Sequence, residues 1–135
     1  MRTLSAPEDI ALAALRDGQL AERRARYRAG LWAEFFAATY LSAKGYRILA
    51  RRYKTHSGEI DLIAVRGGIV AFVEVKARRT FEAAEFSIST RQSKRIRKAA
   101  ERWMSTSPRY RNFEQRFDAL YILPGRLPVH LAGGA

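Results

Sequence analysis

The sequence predicts an α/β domain in which the elements follow the order helix, three strands, helix, strand. Two segments with the apolar spacing of a helix flank three consecutive segments of strand character, and a fourth such segment follows the second helix. Glycine and proline residues lie at the ends of several of these segments, as expected for turns. At 135 residues, of which 47% are apolar, the chain is long enough for one domain with a substantial core.

Residues 1–29 are predicted to form a basic arm or a loosely packed helix ahead of a domain at residues 30–135. A short helix is expected to break near Asp17 and Gly18, because glycine interrupts helices. The segment after this break is strongly basic, as solvated arms often are. Contact with a phosphate backbone is the alternative role for its four arginines, which are Arg23, Arg24, Arg26 and Arg28.

The first helix of the domain is predicted over residues 31–43, bounded by Gly30 and Gly45. The face expected to meet the sheet carries apolar residues, namely Leu31, Phe35, Ala38 and, at its margin, Leu41. Glu34 lies within this same stripe. It is either a first-turn acid that favours the helix dipole or an acid directed inward at the sheet.

The first strand is expected over residues 46–54, near an edge of the sheet, since its cations are typical of edge strands. A turn at residues 55–58 follows and contains His56. We interpret His56 as an exposed loop histidine, with a metal ligand as the alternative.

Two apolar, β-branched runs joined by Gly67 and Gly68 predict a hairpin over residues 58–76. If these two glycines form the loop, facing residues have numbers that sum to 135, so Asp61 and Glu74 lie opposite each other. Two opposed carboxylates repel, and a structure tolerates them mainly when a cation lies between them. The register therefore predicts a metal site.

Oxygen ligands of this kind suit Mg²⁺ or Mn²⁺, which need only one or two protein carboxylates besides water and a phosphate oxygen. Asp61, Glu74 and the backbone carbonyl of Val75 are the predicted metal ligands. Lys76 projects from the same face as Glu74 and could hold the attacking water and stabilise charge on a phosphate. Beside this pair, the inward-directed interpretation of Glu34 is favoured. Metal-assisted hydrolysis of a phosphodiester fits this set best.

A second helix is predicted from a cap at Ser89 or Thr90 to about Ser105. Its apolar face comprises Ile96, Ala99, Ala100 and Trp103. The other side carries five cations against one acid, Glu101, so salt bridges within the helix cannot account for them. We interpret these cations, and one arginine after the third strand, as nucleic-acid contacts: Arg78, Arg91, Lys94, Arg95, Lys98 and Arg102.

The fourth strand is expected over residues 116–123, ended by Pro124 and Gly125, and residues 129–131 could add a short edge strand. Asp118 lies within the fourth strand. We interpret it as making a structural hydrogen bond or ion pair, with a role near the site as the alternative.

The charge balance points to a polyanionic partner. Lys and Arg total 25 against 13 Asp and Glu, a net charge of +12, which favours nucleic acid first and an anionic membrane second. The absence of cysteine excludes disulfides and thiolate metal sites. No apolar run has the length of a signal peptide or a membrane span, so a cytoplasmic protein without membrane contact is expected.

The order Glu34, Asp61, Glu74-Val75-Lys76 matches the acid…Asp…Glu-x-Lys pattern of the restriction-endonuclease-like, PD-(D/E)XK nucleases. The sequence around this pattern is more specific to one family. It includes the segments Gly45-Tyr46, Ile48-Leu49, Gly58–Ala64, Phe72–Arg78 and Arg116–Asp118. Over roughly residues 22–131, the chain closely resembles the YraN-like family of bacterial endonuclease-like proteins. One departure is Ala33, where many relatives have glycine before the helix acid.

This resemblance implies a restriction-endonuclease-like mixed β-sheet flanked by helices, similar to that of archaeal Holliday-junction resolvases. It makes Glu34, Asp61, Glu74 and Lys76 the catalytic residues of an endonuclease-like domain. The function expected is a Mg²⁺- or Mn²⁺-dependent nuclease that acts on DNA rather than RNA, including branched or damaged DNA. A homodimer is expected by analogy, since junction resolvases act as two-fold dimers. The alternative is a catalytically silent nucleic-acid-binding protein that retains the nuclease fold.

Overall fold

A computed structural model describes residues 6–80 and 88–135 of the chain. The elements in chain order are α1 (Pro7–Ala43), β1 (Arg47–Lys54), β2 (Glu59–Arg66), β3 (Ile69–Ala77), α2 (Thr90–Ser105), a 3-10 turn (Pro108–Tyr110), β4 (Glu114–Ile122) and β5 (Val129–Leu131). The predicted order of helix, three strands, helix and strand is confirmed, and the short strand at residues 129–131 is present.

Helix α1 is continuous over 37 residues and passes through both Gly18 and Gly30. The predicted break near Asp17 and the predicted helix boundary at Gly30 are therefore wrong. A glycine inside a helix costs only about 1 kcal/mol relative to alanine, and the strong helix formers around these two positions offset that cost. The chain divides into one compact unit that ends at Trp32 and a second from Ala33 to Ala135.

In the first unit, the described helical residues 7–32 are all exposed, and residues 1–5 of the predicted arm lie outside the described part of the chain. None of the helices described at residues 6–80 and 88–135 is both long and apolar enough to cross a membrane.

The second unit contains a mixed five-stranded sheet in the order β1-β2-β3-β4-β5. Strands β1, β2 and β3 pair antiparallel, β3 and β4 pair parallel, and β4 and β5 pair antiparallel. The parallel pair requires a crossover connection, which contains α2. Strand β1 is an edge strand, as its cations predicted.

Helices cover both faces of this sheet. Helix α2 buries its predicted apolar face, Ile96, Ala99, Ala100 and Trp103, against one face of the sheet. The end of α1 covers the other face, where Ala37 and Leu41 pack among Leu62, Ala64, Ala71, Val73 and Leu120. The strands are apolar on both sides because neither face of the sheet meets water along its centre.

The buried face of α1 differs from the predicted one. The structure buries Ala33, Ala37 and Leu41, whereas Leu31 and Phe35 are exposed. The helical spacing was right and its phase was wrong, because alanine contributes little to an apolar stripe judged by hydrophobicity. Small side chains instead let the helix approach the large residues of the strands closely.

The hairpin of β2 and β3 has the predicted register. Its paired residues run from Arg66 with Ile69 to Leu62 with Val73, and each pair sums to 135. Gly67 in the turn has a φ of 58°, a left-handed conformation that glycine adopts without strain.

Candidate active site

Asp61 and Glu74 occupy the next facing positions beyond the last paired residues of the hairpin, Leu62 and Val73. The Oδ2 atom of Asp61 accepts a hydrogen bond of 2.8 Å from the backbone N–H of Val75. Asp61 and Glu74 are also close enough that each shifts the pKa of the other. The opposed carboxylates predicted from the register therefore lie together.

The environment of this pair disfavours two negative charges. Burial and the charge of Asp61 raise the pKa of Glu74 to about 8, although Lys76 opposes the shift. Burial also raises the pKa of Asp61, although the N–H of Val75 offsets part of that effect. Only 7% of Glu74 is exposed. At neutral pH the pair therefore retains a proton, whose place a divalent cation could take.

Glu34 approaches the pair from α1 with its side chain only 12% exposed. Burial raises its pKa, and the charge of Asp61 raises it further. Its Oε2 atom is buried and accepts no hydrogen bond from the residues that the structure describes. This orientation supports the interpretation of Glu34 as an acid directed inward at the sheet. We refer to Glu34, Asp61 and Glu74 as the acid cluster.

Arg52 of β1 is a member of the site that sequence reasoning missed. Its Nε atom lies 3.6 Å from Oε2 of Glu34 and lowers the pKa of that acid, against the effect of burial. Arg52 has a φ of 52°, a left-handed conformation that is strained for a residue with a Cβ atom. No local pattern in the strand signals this conformation.

Lys76 and Gln92 complete the site. The Nζ atom of Lys76 lies 3.4 Å from Oε1 of Glu74 and donates a hydrogen bond of 2.9 Å to the side-chain oxygen of Gln92. The amide nitrogen of Gln92 donates to Glu74. Gln92 was not predicted, because its only local pattern, the capping-box spacing Ser89-x-x-Gln92, indicates the start of a helix and not a contact with the site.

Within the acid cluster, Glu74 lines a cavity of about 320 Å³, together with Glu59, Gln92, Arg95 and Ile96. Glu59 adds a further negative charge here and raises the pKa of both Glu34 and Asp61. Among the residues that the structure describes, the charged ones that line the cavity are therefore two acids, Glu59 and Glu74, and one cation, Arg95.

The donor set fits a divalent cation that retains several water ligands. No group of three or more acids and histidines close enough to hold a metal occurs among residues 6–80 and 88–135. Two adjacent carboxylates are nevertheless enough for Mg²⁺, which is often held by one or two protein carboxylates. The buried Oε2 atom of Glu34, which has an ion pair with Arg52 but no hydrogen bond from the described residues, suits a hydrogen bond from a metal-bound water. Val75, predicted to add a carbonyl oxygen, also contributes its N–H to Asp61.

The cations predicted to contact nucleic acid lie on the exposed side of α2. We call this row the basic strip, and it consists of Arg91, Lys94, Arg95, Lys98 and Arg102. Arg78, the sixth predicted contact, lies just after β3 and donates to the carbonyl of Ala77.

Two further cavities lie along the basic strip. One of about 380 Å³ includes Ser57, Arg95 and Lys98 in its lining, and one of about 480 Å³ includes Ser57, His56, Lys54 and Lys98. Because Arg95 also lines the cavity at the acid cluster, the basic strip adjoins the proposed site. His56 is exposed, as predicted for a loop histidine.

Asp118 is fully buried and makes the predicted structural contacts. Its carboxylate accepts hydrogen bonds from Nε and Nη2 of Arg116, from the ring of His130 and from the backbone N–H of Gly133. Burial would raise the pKa of Asp118, but the hydrogen bonds from His130 and Arg116 lower it to about 2. An acid held ionised in this way stabilises the β4–β5 end of the sheet and is separate from the acid cluster.

Comparison with known proteins shows one family. The family described as "Uncharacterised protein family UPF0102" matches residues 33–122, a range that contains the acid cluster, Lys76 and Gln92. A UPF0102 protein of Nitrobacter winogradskyi is 53% identical over 111 residues, which cover 82% of this chain and 94% of the relative. UPF0102 proteins of Rhodopseudomonas palustris strain BisA53 and of Bradyrhizobium diazoefficiens are 54% and 51% identical over 110 residues. These matches cover 82% of this chain and 85% and 83% of the two relatives.

Proposed function

Because this chain belongs to the UPF0102 family, the YraN family that its motifs resemble, we propose that it is a metal-dependent nuclease that hydrolyses phosphodiester bonds in DNA. The observation that carries the proposal is the facing arrangement of Asp61 and Glu74 at the end of the hairpin, where burial raises the pKa of both acids. Lys76 lies beside Glu74, which lines an open cavity. Mg²⁺ or Mn²⁺ is the proposed cofactor, and branched or damaged DNA is the proposed substrate class.

Each residue of the site has a distinct proposed role. Asp61 and Glu74 would hold the cation, which when bound supplies a Lewis acid for the scissile phosphate and lowers the pKa of water. Lys76 orients the attacking water and stabilises the negative charge that develops on the phosphate oxygens. Glu34 accepts a hydrogen bond from a water through its buried Oε2 atom.

The basic strip supplies the affinity for the substrate. Its five cations stand on one side of α2, and the helix contributes a single acid, Glu101. Contacts of this kind bind the phosphate backbone independently of base sequence. The strip adjoins the acid cluster through Arg95, so a bound strand would pass close to the site.

The direct test is incubation of the protein with linear, single-stranded, flapped and four-way DNA in Mg²⁺, Mn²⁺ or EDTA. Cleavage that requires the divalent cation supports the proposal. DNA binding without cleavage on any of these substrates would contradict it and would support a silent nucleic-acid-binding protein instead.

Replacement of Lys76 tests the proposed chemistry. We expect Lys76→Ala to abolish cleavage while DNA binding and metal binding persist, because the lysine acts on the transition state rather than on the ground-state complex. Lys54→Ala serves as the control, since this lysine lines a neighbouring cavity whose described lining includes none of the acid cluster. Normal turnover by the Lys76→Ala protein would remove the mechanism.

A further inference from the structure

Gln92 lies between two groups of opposite charge at the start of α2. Its amide nitrogen donates to Oε1 of Glu74, and its amide oxygen accepts from Nζ of Lys76 at 2.9 Å. An amide satisfies both neighbours, because it has a donor on one side and an acceptor on the other. A carboxylate offers only acceptors and an ammonium only donors, so neither could make both contacts when Glu74 is ionised.

The backbone of Gln92 is held in place from two directions. The hydroxyl oxygen of Ser89 accepts from the N–H of Gln92 at 3.2 Å and caps the helix. One turn further on, Ile96 is buried in the core, and the carbonyl of Arg95 lies against Gly58. A Cβ atom at Gly58 would come within 2.4 Å of that carbonyl oxygen, which shows how closely the helix meets the turn before β2. Gln92 can therefore impose a position on its two partners.

The spacing of the charged pair suggests what Gln92 does. The Nζ atom of Lys76 lies 3.4 Å from Oε1 of Glu74, which is longer than a direct charge-assisted hydrogen bond of about 2.8 Å. Gln92 satisfies one of the donors of Lys76 and holds the amine at this distance. Without the amide, the amine would be free to close onto the carboxylate and to leave the position from which it could reach a phosphate.

We propose that Gln92 is a positioning residue that orients the carboxylate of Glu74 and keeps Lys76 from pairing directly with it. The inference rests on the proposed function, because it assigns Glu74 to a cation and Lys76 to the reacting phosphate. Gln92 acts through these two residues rather than on the DNA itself. Partners that orient metal ligands in this way commonly affect metal affinity by about 10- to 100-fold when they are replaced.

The test compares Gln92→Met with Gln115→Met. Methionine has nearly the length of glutamine and neither donates nor accepts strongly. Gln115 is exposed on β4 and provides the same substitution away from the site. We expect Gln92→Met to weaken Mn²⁺ binding about 10-fold or more in calorimetric titrations without DNA. In cleavage assays, we expect its kcat to fall while its KM for DNA stays unchanged, whereas Gln115→Met matches wild type in both.

A metal-free measurement keeps this inference separate from the nuclease proposal. In EDTA, the side-chain amide resonance of Gln92 in a ¹⁵N–¹H spectrum should shift when Lys76 is replaced by Met, because the lysine contacts the amide oxygen. A resonance that does not move, or a Gln92→Met protein with the Mn²⁺ affinity and kcat of wild type, overturns the inference. A wild-type protein that cleaves no DNA, but whose Gln92 resonance shifts, contradicts the nuclease proposal and leaves the bridging contact supported.

Discussion

At Glu74, burial and the neighbouring charge of Asp61 act in the same direction and raise the pKa to about 8. Asp61 and Glu34 show shifts of the same sign, with burial as the first cause in each. By contrast, hydrogen bonds from His130 and Arg116 lower the pKa of Asp118 to about 2. The protein thus contains buried acids of two kinds. Asp118 has hydrogen bonds that more than offset the effect of burial on its pKa. The acids of the acid cluster have partners that offset this effect only in part.

The raised pKa of Glu74 predicts how stability depends on pH. An acid whose pKa is higher in the folded state holds more protons when folded, so the free energy of unfolding falls as pH rises. For Glu74 this loss begins above the unfolded value of 4.5 and is complete above about pH 8. The slope for one proton is at most about 1.4 kcal/mol per pH unit. Thermal melts in EDTA between pH 5 and pH 8 should show a falling Tm for wild type and a flatter profile for Glu74→Gln. Parallel profiles for the two proteins would contradict the shift.

Substitution of Asp61 tests the metal site through stability alone. Asp61→Asn removes one charge at nearly constant volume, so in EDTA at pH 8 the variant should melt at least as high as wild type. Mg²⁺ at ten times its Kd should stabilise wild type by about 1.4 kcal/mol and leave the variant unchanged. Melts over a series of Mg²⁺ concentrations measure both effects. Equal Mg²⁺ shifts in the two proteins would mean that Asp61 is not a ligand.

Helix α2 links the chemistry of the hairpin to the surface that would bind the substrate. Its first turn carries Gln92, which contacts Glu74 and Lys76, and its exposed side carries the basic strip. Its buried side packs on the sheet through Ile96 and Trp103. The same helix therefore packs on the sheet, places Gln92 against Glu74 and Lys76, and provides positive charge near the site.

The close contact between Gly58 and α2 yields a prediction about packing. In Gly58→Ala, the new Cβ atom would lie 2.4 Å from the carbonyl oxygen of Arg95, so the helix must shift. We expect the free energy of unfolding to fall by about 1–3 kcal/mol, the usual cost of overpacking. Gly68→Ala is the control, because a Cβ there meets no atom within 4 Å. Denaturant melts of both variants measure the difference, and equal stability of the two would contradict the tight contact.

The net charge of +12 is distributed over both units of the chain. The second unit carries the basic strip beside the acid cluster. The first unit carries the arginines of the predicted arm, on exposed helical residues of α1. Both groups could contribute to the electrostatic attraction of a nucleic acid, and salt dependence separates their contributions.

We expect the triple variant Lys94→Ala, Arg95→Ala, Lys98→Ala to weaken DNA binding and to flatten its salt dependence. Each lost phosphate contact lowers the slope of log K against log salt by about 0.9 on B-DNA. The matched variant replaces three cations of α1 by alanine, Arg23, Arg24 and Arg26. Fluorescence anisotropy at several salt concentrations gives both slopes. An unchanged slope in the first variant would exclude the basic strip as the contact surface, and a reduced slope in the second would assign a phosphate contact to the arm.

Much of the fold and part of the site could be predicted from the order of residues alone. The hairpin register follows from a two-glycine turn and from the two-residue period of strands, so the facing positions of Asp61 and Glu74 were predictable. The buried face of α2 followed from helical spacing. The family resemblance is confirmed by relatives more than 50% identical. Each of these features depends on residues that are close in sequence or on a shared motif.

Other features depend on contacts between distant parts of the chain, which local patterns do not encode. The side chain of Gln92 meets Glu74 across 18 residues of sequence, and the left-handed Arg52 approaches Glu34 from a different element. The phase of α1 was misjudged because close packing on the sheet selected Ala33 and Ala37 rather than the larger apolar side chains. Local spacing and turn chemistry are properties of the chain itself. Which distant polar side chains contact each other, and how their pKa values shift, is set only when tertiary packing brings them together and removes water from between them.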